Sequence, residues 1–294
     1  MTAAAATGRW SRRGSGATNG NSGSQDLRKL REFGASISDD GLLKGCGRRI
    51  RVGVPGSAEE VLERTVRCRR NWLCATCGYA ASCDGSRKLG QRLLGWTAQG
   101  HAVAFLTLTQ SHCAGVKLAV LWDRLEDAWS ALARGSAWRA DQKTYGARGY
   151  VRITEVVHHP LTGWNVHLHV LLLLDGELAE SDLADLKASL ARRFVRGIRC
   201  SGGHVEISGQ DLKPIQPGTE EQLATYCLKG NKQHRSEDGS RSPMAILSDL
   251  RGTGQGLPLW QEFTSAVTDT RRMQLITSKA IESLCRRETP ITTT

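Results

Sequence analysis

The stretch Gly163-Trp164-Asn165-Val166-His167-Leu168-His169-Val170-Leu171-Leu172-Leu173-Leu174 constrains the fold more than any other part of the chain. A run of β-branched and aliphatic residues of this length reads as a strand, on which side chains alternate between two faces. Val166, Leu168, Val170 and Leu172 then share one face, while His167 and His169 share the other with Leu171 and Leu173. Both faces are apolar enough to be buried, which predicts a central strand covered on both sides. Two imidazoles set into such a strand are either hydrogen-bonded core histidines or metal ligands. Imidazole is the commonest metal ligand, and a rise of roughly 3.3 Å per residue leaves neighbouring Nε2 atoms able to share one ion.

A second strand, Tyr150-Val151-Arg152-Ile153-Thr154-Glu155-Val156-Val157, tips this choice. Its period of two puts Glu155 with Val151 and Ile153 on an apolar face, where an unpaired carboxylate is costly and calls for a cation or donors. The connection 158–165, with Pro160 and Gly163, suits a hairpin loop. If the hairpin folds about Leu161 and Thr162, Glu155 lies across from His167 and His169. Two imidazoles and a carboxylate make a mixed nitrogen and oxygen site suited to Mg²⁺ or Mn²⁺ rather than to structural zinc.

A different ligand chemistry stands upstream, where Cys46-Gly47-Arg48-Arg49 is followed by Cys68-Arg69-Arg70-Asn71-Trp72-Leu73-Cys74-Ala75-Thr76-Cys77-Gly78 and then Cys83. The two-residue gap between Cys74 and Cys77 lets both thiolates reach one tetrahedral Zn²⁺. Cys68 supplies a third ligand, and the spacing leaves Cys46 and Cys83 open as the fourth. Four thiolates leave no free position, so the role is to fold a small module and hold Arg48, Arg49, Arg67, Arg69 and Arg70 toward phosphates. The charge agrees with such a partner. The chain carries a net charge of +11, and its first hundred residues hold 17 Lys and Arg against 8 Asp and Glu. A basic excess of this kind suits a polyanion, of which nucleic acid is the usual one. Residues 1–23 have arginines but no apolar run with a cleavage site, and no run of 18 apolar residues occurs. The expectation is a cytoplasmic protein with reduced thiols, no signal peptide and no membrane partner.

The remaining elements follow from periodicity and turn residues. Residues 1–25, rich in Ala, Gly, Ser and Asn, are expected to be disordered. A helix is expected over Ser86 to Gln99, a strand over His101 to Thr109, and an amphipathic helix over Val116 to Arg134 with Leu118, Leu121, Trp122, Leu125, Ala128, Trp129 and Leu132 inward. Next come a helix over Ser181 to Val195 and a strand over His204 to Ser208. Thr219-Glu220-Glu221-Gln222 reads as a capping box opening a helix through Lys229 that stops at Gly230. Tyr226 and Lys229, three apart, share a face of it. A polar loop spans 231–242, and weak helical periodicity runs from Pro243 to about Glu288. No phosphate-binding loop of the GxxxxGK[ST] type is present, so no ATPase or helicase function is built in.

These pieces, in this order, resemble the rolling-circle replication initiators of plasmids from high-GC Gram-positive bacteria, within the HUH endonuclease superfamily. Cys46-Gly47-Arg48 and the Cys68 to Cys77 block resemble the family's cysteine region, and Thr107-Leu108-Thr109 with His112 its first motif. Gly163-Trp164 through His167-Leu168-His169 is similar to its histidine, hydrophobic, histidine motif, and Tyr226-Cys227-Leu228-Lys229 has the spacing of its Tyr-x-x-Lys. The likeness spans roughly residues 44–280. Two departures are Asn165, where relatives often carry a further histidine, and Gln222, where some place a glutamate that activates water to end the cycle.

The resemblance implies an α+β fold with a central antiparallel sheet and helices packed on it, of the ferredoxin or RRM-like HUH kind, plus an N-terminal cysteine-rich zinc module. The partition would be a tail over 1–25, the zinc module over 26–95, a nicking domain over 96–235 and a helical extension over 236–294. It implies Tyr226 as nucleophile, Lys229 as its helper, a divalent ion on His167, His169 and Glu155, and Cys46 as the fourth zinc ligand. DNA would be held in part by Arg48, Arg49, Arg69 and Arg70. Origin DNA, single-stranded at the nick, would be joined through a 5′-phosphotyrosyl link in a bacterial cytoplasm. A host helicase and DNA polymerase would follow, and a homodimer stays open. The rival readings are an HUH transposase or mobilisation relaxase, and a non-enzymatic zinc-dependent DNA-binding regulator.

Overall fold

The computed structural model describes residues 20–53, 61–229, 232–268 and 272–278. The described residues begin with helix α1 (Gly20–Ser36), a short α2 (Gly41–Gly45), and an antiparallel two-stranded ribbon of β1 (Arg49–Gly53) and β2 (Val61–Thr65). Helix α3 (Ala75–Thr97) leads into a five-stranded sheet of β3 (Ala102–Thr109), β4 (Ala147–His159), β5 (Gly163–Leu174), β6 (Asp211–Pro214) and β7 (Leu275–Thr277). The strand order is β6-β3-β5-β4-β7, and every neighbouring pair is antiparallel. The expected α+β class with a central antiparallel sheet is what the chain adopts.

Strand β5 takes the middle because both its faces are apolar. On one face Leu168, Val170 and Leu172 join Leu106 and Leu108 of β3 in a core closed by α4 (Leu118–Leu132), α5 (Gly135–Tyr145) and α6 (Glu180–Cys200). Each inward residue expected of α4 is buried, and its Trp122 sits edge-on to Trp72 at 5.4 Å. The other face carries Val151, Ile153, Leu171 and Leu173, packed by Leu89 and Leu93 of α3 and by Leu223, Ala224, Cys227 and Leu228 at α7 (Glu220–Cys227). Arg152, 2% exposed, forks onto Glu126 of α4 at 2.6 and 2.9 Å, so its charge is matched where the alternation of β4 buries it.

Several sequence expectations need correction. Of the tail over 1–25, residues 1–19 lie outside the described residues, and the chain is helical from Gly20. Helix α3 starts eleven residues before Ser86 because Cys74 caps it, its Sγ accepting the Cys77 amide. Glycines at 78, 85 and 90 mask the helical pattern in the sequence. The strand expected over His204 to Ser208 is instead loop and a 3₁₀ turn (Ile207–Gly209), with β6 following. The cause is Gln210, whose side-chain amide accepts from the Thr109 amide at 3.0 Å and donates to the carbonyls of Thr109 and Glu206. A side chain thus takes the place of backbone pairing at that end of β3.

The region after 236 is more than a helical extension. Helices α8 (Pro243–Thr253) and α9 (Leu257–Thr268) bury Ile246, Leu247 and Phe263 in the core shared with the sheet, and β7 adds an edge strand. Leu43, Trp72 and Leu73 of the cysteine region belong to the same core. No helix among the described residues is long and apolar enough to cross a membrane.

Candidate functional site

The hairpin β4–β5 pairs Glu155 with His167, and Ile153 with His169. Gly163 permits the turn: its φ is +80°, and a Cβ there would stand 3.2 Å from the Ala114 backbone. On the resulting face, Glu155 Oε2 lies 3.0 Å from His167 Nε2 and 2.8 Å from His169 Nε2. Glu155 and His169 are buried, while the His167 side chain is 16% exposed. The Phe105 ring stacks on His169 at 5.1 Å and fixes its plane. Both Nδ1 atoms are buried without a hydrogen-bond partner, so packing rather than an outer hydrogen bond orients the rings.

The electrostatics favour an ionised Glu155 beside a neutral His169. Burial alone would raise the Glu155 pKa, but hydrogen bonds from His167 and His169 outweigh it and hold the carboxyl well below its usual range. Burial pushes His169 the other way, below its usual value, with the Glu155 bond opposing. Lys229 supplies a cation, its Nζ 3.5 Å from Glu155 Oε1.

Tyr226 and Lys229 reach this face from α7 and the turn after it. Lys229 Nζ sits 4.1 Å from the Tyr226 ring centroid, and that ring lies 5.6 Å from His169 and 6.4 Å from Phe105. Tyr226 is 37% exposed. The helix does not start with the expected capping box. Thr219 makes no side-chain cap, its hydroxyl donating instead to the Gln216 carbonyl. Glu220 is pulled inside, accepting from Thr97 at 2.7 Å. Glu221 and Gln222 are both exposed. The stop at Gly230 lies outside the described residues. What sets the helix against its neighbour is close approach: a Cβ at Gly85 would stand 3.1 Å from Leu228, and one at Gly90 3.3 Å from the Glu221 Cα. The Ser82 hydroxyl also donates to the Leu228 carbonyl.

The second cluster joins Cys46, Cys68, Cys74 and Cys77, all buried, as a set able to hold a metal. Sγ atoms of Cys46 stand 3.7 Å from Cys74 and 3.6 Å from Cys77, and Cys68 stands 3.7 Å from Cys77. Cys83 is exposed two turns along α3 and takes no part. The Cys68 thiol, with the Thr76 hydroxyl and the Cys77 amide, lowers the Cys74 pKa to about 5. Cys68 itself is pushed up by the same contact. Among the basic residues, Arg48 and Arg69 are exposed, and Arg69 has φ of +56° in the turn after Cys68. Arg49 is 3.7 Å from Glu63 across the β1–β2 ribbon, and Arg70 pairs with Asp40 at 2.7 Å.

Three features of the site carry weak sequence signals. Phe105 was visible only as a strand residue, and its stacking depends on the register of β3 against β5. His112 comes to the rim, its Nε2 3.3 Å from the Thr162 hydroxyl, with burial lowering its pKa. The β1–β2 ribbon alternates too weakly to be read as strands, yet presents Arg49, Arg51 and Arg64 exposed.

Residues 59–182 match a family model described as replication protein. The chain is 27% identical over 135 residues to a protein of Streptomyces cyanogenus named neomycin resistance protein, covering 38% of this chain and 31% of that protein. It is 25% identical over 151 residues to Protein rep of Streptomyces lividans, covering 42% of this chain and 33% of that protein. The match spans about a third of the length of each of these relatives. No solved structure matches the chain.

Proposed function

We propose that the chain initiates plasmid replication by nicking one DNA strand through Tyr226, as an HUH-type nuclease. The observation that carries this reading is the convergence of Glu155, His167 and His169 beneath an exposed tyrosine with Lys229 between them. The match to a replication-protein family and the likeness to Protein rep support it.

The donor set, two imidazole nitrogens and one carboxylate oxygen, fits a divalent ion in octahedral geometry. Ligands at about 2.1 Å in octahedral geometry stand about 3.0 Å apart, and the observed separations from Glu155 Oε2 are 3.0 and 2.8 Å. His167, His169 and Glu155 would hold Mg²⁺ or Mn²⁺, which when bound would neutralise charge on the scissile phosphate. Tyr226 Oη would attack phosphorus, forming the phosphotyrosyl bond as the P–O3′ bond breaks. The phenol proton is given up and the departing 3′ oxygen gains one, so the phosphodiester count is unchanged and rejoining needs no ATP. Lys229, fixed by Glu155, would favour both the phenolate and the pentavalent phosphate. The released 3′-hydroxyl would prime a host polymerase in the bacterial cytoplasm.

The cysteine cluster fits Zn²⁺. Sulfurs 2.3 Å from a tetrahedral ion stand about 3.8 Å apart, near the observed 3.6 to 3.7 Å. Its role would be structural, presenting Arg48, Arg49, Arg69 and Arg70 to DNA. A regulator without catalysis would explain the cysteines and the charge, but gives no reason for a buried Glu155 beneath Tyr226. The test is conversion of supercoiled plasmid carrying the cognate origin to open circle, with Mg²⁺ or Mn²⁺ and the protein retained on the 5′ end. Nicking by Tyr226→Phe at the parent rate would overturn the nucleophile, and nicking in chelator would overturn the metal.

A further inference from the structure

The four tyrosines divide into two pairs. Tyr145 and Tyr150 pack, partly buried, against the core. Tyr79 and Tyr226 are 41% and 37% exposed, and they stand on α3 and α7, the two helices that pack together over the histidine face. Each has a lysine ammonium over its ring: Lys229 at 4.1 Å from Tyr226 and Lys232 at 5.9 Å from Tyr79. The Lys232 amide donates to the Lys229 carbonyl at 2.9 Å, which ties the two lysines together. Ser82, one turn past Tyr79, is tied to the Leu228 carbonyl just after α7. The two aromatic and cationic pairs are thus held in fixed relation across one seam. Upstream, α3 leads back to the Cys74 cap and the exposed Arg69.

An exposed ring beside a cation suits one ligand chemistry in particular. A nucleotide offers a flat base to stack on the ring and a phosphate for the ammonium, and stacking is tolerant of sequence because every base has a π-face. Lys232 stands at the outer limit of cation–π contact, leaving the ring free to take a base. The Cys83 thiol beside the Tyr79 hydroxyl raises its pKa above the usual value.

We propose that Tyr79 is a stacking platform for a base of the single strand entering the Tyr226 site, with Lys232 holding the adjoining phosphate. This rests on the nicking function proposed above and names how the strand is held for it. Atoms of the Tyr79 ring, not its hydroxyl, carry the role.

Binding of the full chain to an oligothymidylate of about 20 nucleotides tests this without requiring cleavage. Tyr79→Phe should bind within about twofold of the parent. Tyr79→Ala should bind about 5- to 150-fold more weakly. Lys232→Gln should lower the slope of log affinity against log salt by about 0.7, the value for one single-strand phosphate contact. With origin DNA, Tyr79→Ala should raise KM and leave kcat near the parent value. The proposal fails if Tyr79→Ala binds as the parent does, or if Tyr79→Phe is as weak as Tyr79→Ala. Parent-like nicking by Tyr226→Phe would instead overturn the nicking assignment and leave the binding result standing. Unchanged thermal melting of the Tyr79 variants, expected for a half-exposed side chain, excludes misfolding as the cause.

Discussion

The cysteine cluster is buried and brings together four like side chains, whereas Glu155, His167 and His169 set one carboxylate and two imidazoles on one sheet face, with His167 reaching the surface. The first is drawn from three separate segments: the end of α2, the turn after β2 and the first turn of α3. It can close only once those segments have met. The second comes from one hairpin, in which pairing of two adjacent strands already fixes all three side chains. A site whose coordination is complete can stabilise but has no place for a substrate. One with three ligands leaves positions open to a phosphate. On the proposed function, the two clusters would separate stability from chemistry.

Removing one ligand from each puts this to the test, and the largest effect belongs to the thiols. Cys74→Ser should lose bound metal and, because structural zinc binding is coupled to folding at about 10–16 kcal/mol in small modules, should unfold the N-terminal region. Metal content by mass spectrometry and thermal melting report both. His169→Ala should lower nicking on the order of 10³-fold, about 4 kcal/mol of transition-state stabilisation, while the melting temperature changes by only a few degrees. If both variants melt equally early, the division between a closed and an open site is wrong. A smaller effect is expected between them, on the helix the two share. Gly90→Val should push α7 away at the Glu221 backbone, with a cost of roughly 1–3 kcal/mol. It should slow nicking while Mn²⁺ affinity at the hairpin holds.

The smallest effect is at Asp40, which accepts from the amides of Leu42 and Leu43 and pairs with Arg70, tying α2 to the turn that carries Cys68. Burial would raise its pKa, but these donors hold it below the usual aspartate value. A lowered folded pKa means that its stabilisation is present above about pH 3.8 and is lost as pH falls through the folded value. Asp40→Asn should keep the cap, lose the charge pair with Arg70 and cost roughly 0.2–1 kcal/mol at neutral pH. Its stability should converge on the parent's in acid, as followed by urea denaturation across pH.

The sheet was legible where alternation and turn chemistry agreed. Glu155 could be placed opposite His167 because Pro160 and Gly163 bracket the turn and both strands are strictly periodic. Helix α4 was legible because its seven apolar positions recur at threes and fours. What failed was decided by distant partners. The box expected at Thr219 fails because its hydroxyl turns to the Gln216 carbonyl, while Glu220 beside it is drawn inside to Thr97, over a hundred residues away. The strand expected near Val205 yields to the Gln210 side chain bridging to Thr109. Tyr79 gave no signal, since its significance depends on the lysine that the turn after α7 brings over it.

Strand β7 has one further consequence, which concerns synthesis. It covers the outer edge of β4 at Val151, Arg152 and Ile153. Until Leu275 leaves the ribosome, roughly 120 residues after Ile153, that edge has no partner among the sheet strands, for about 6 to 24 s at bacterial elongation rates. An unpaired edge beside an apolar hairpin invites pairing with another nascent chain. Strains translating this message slowly over its last third should therefore accumulate more insoluble protein than strains slowed over its first.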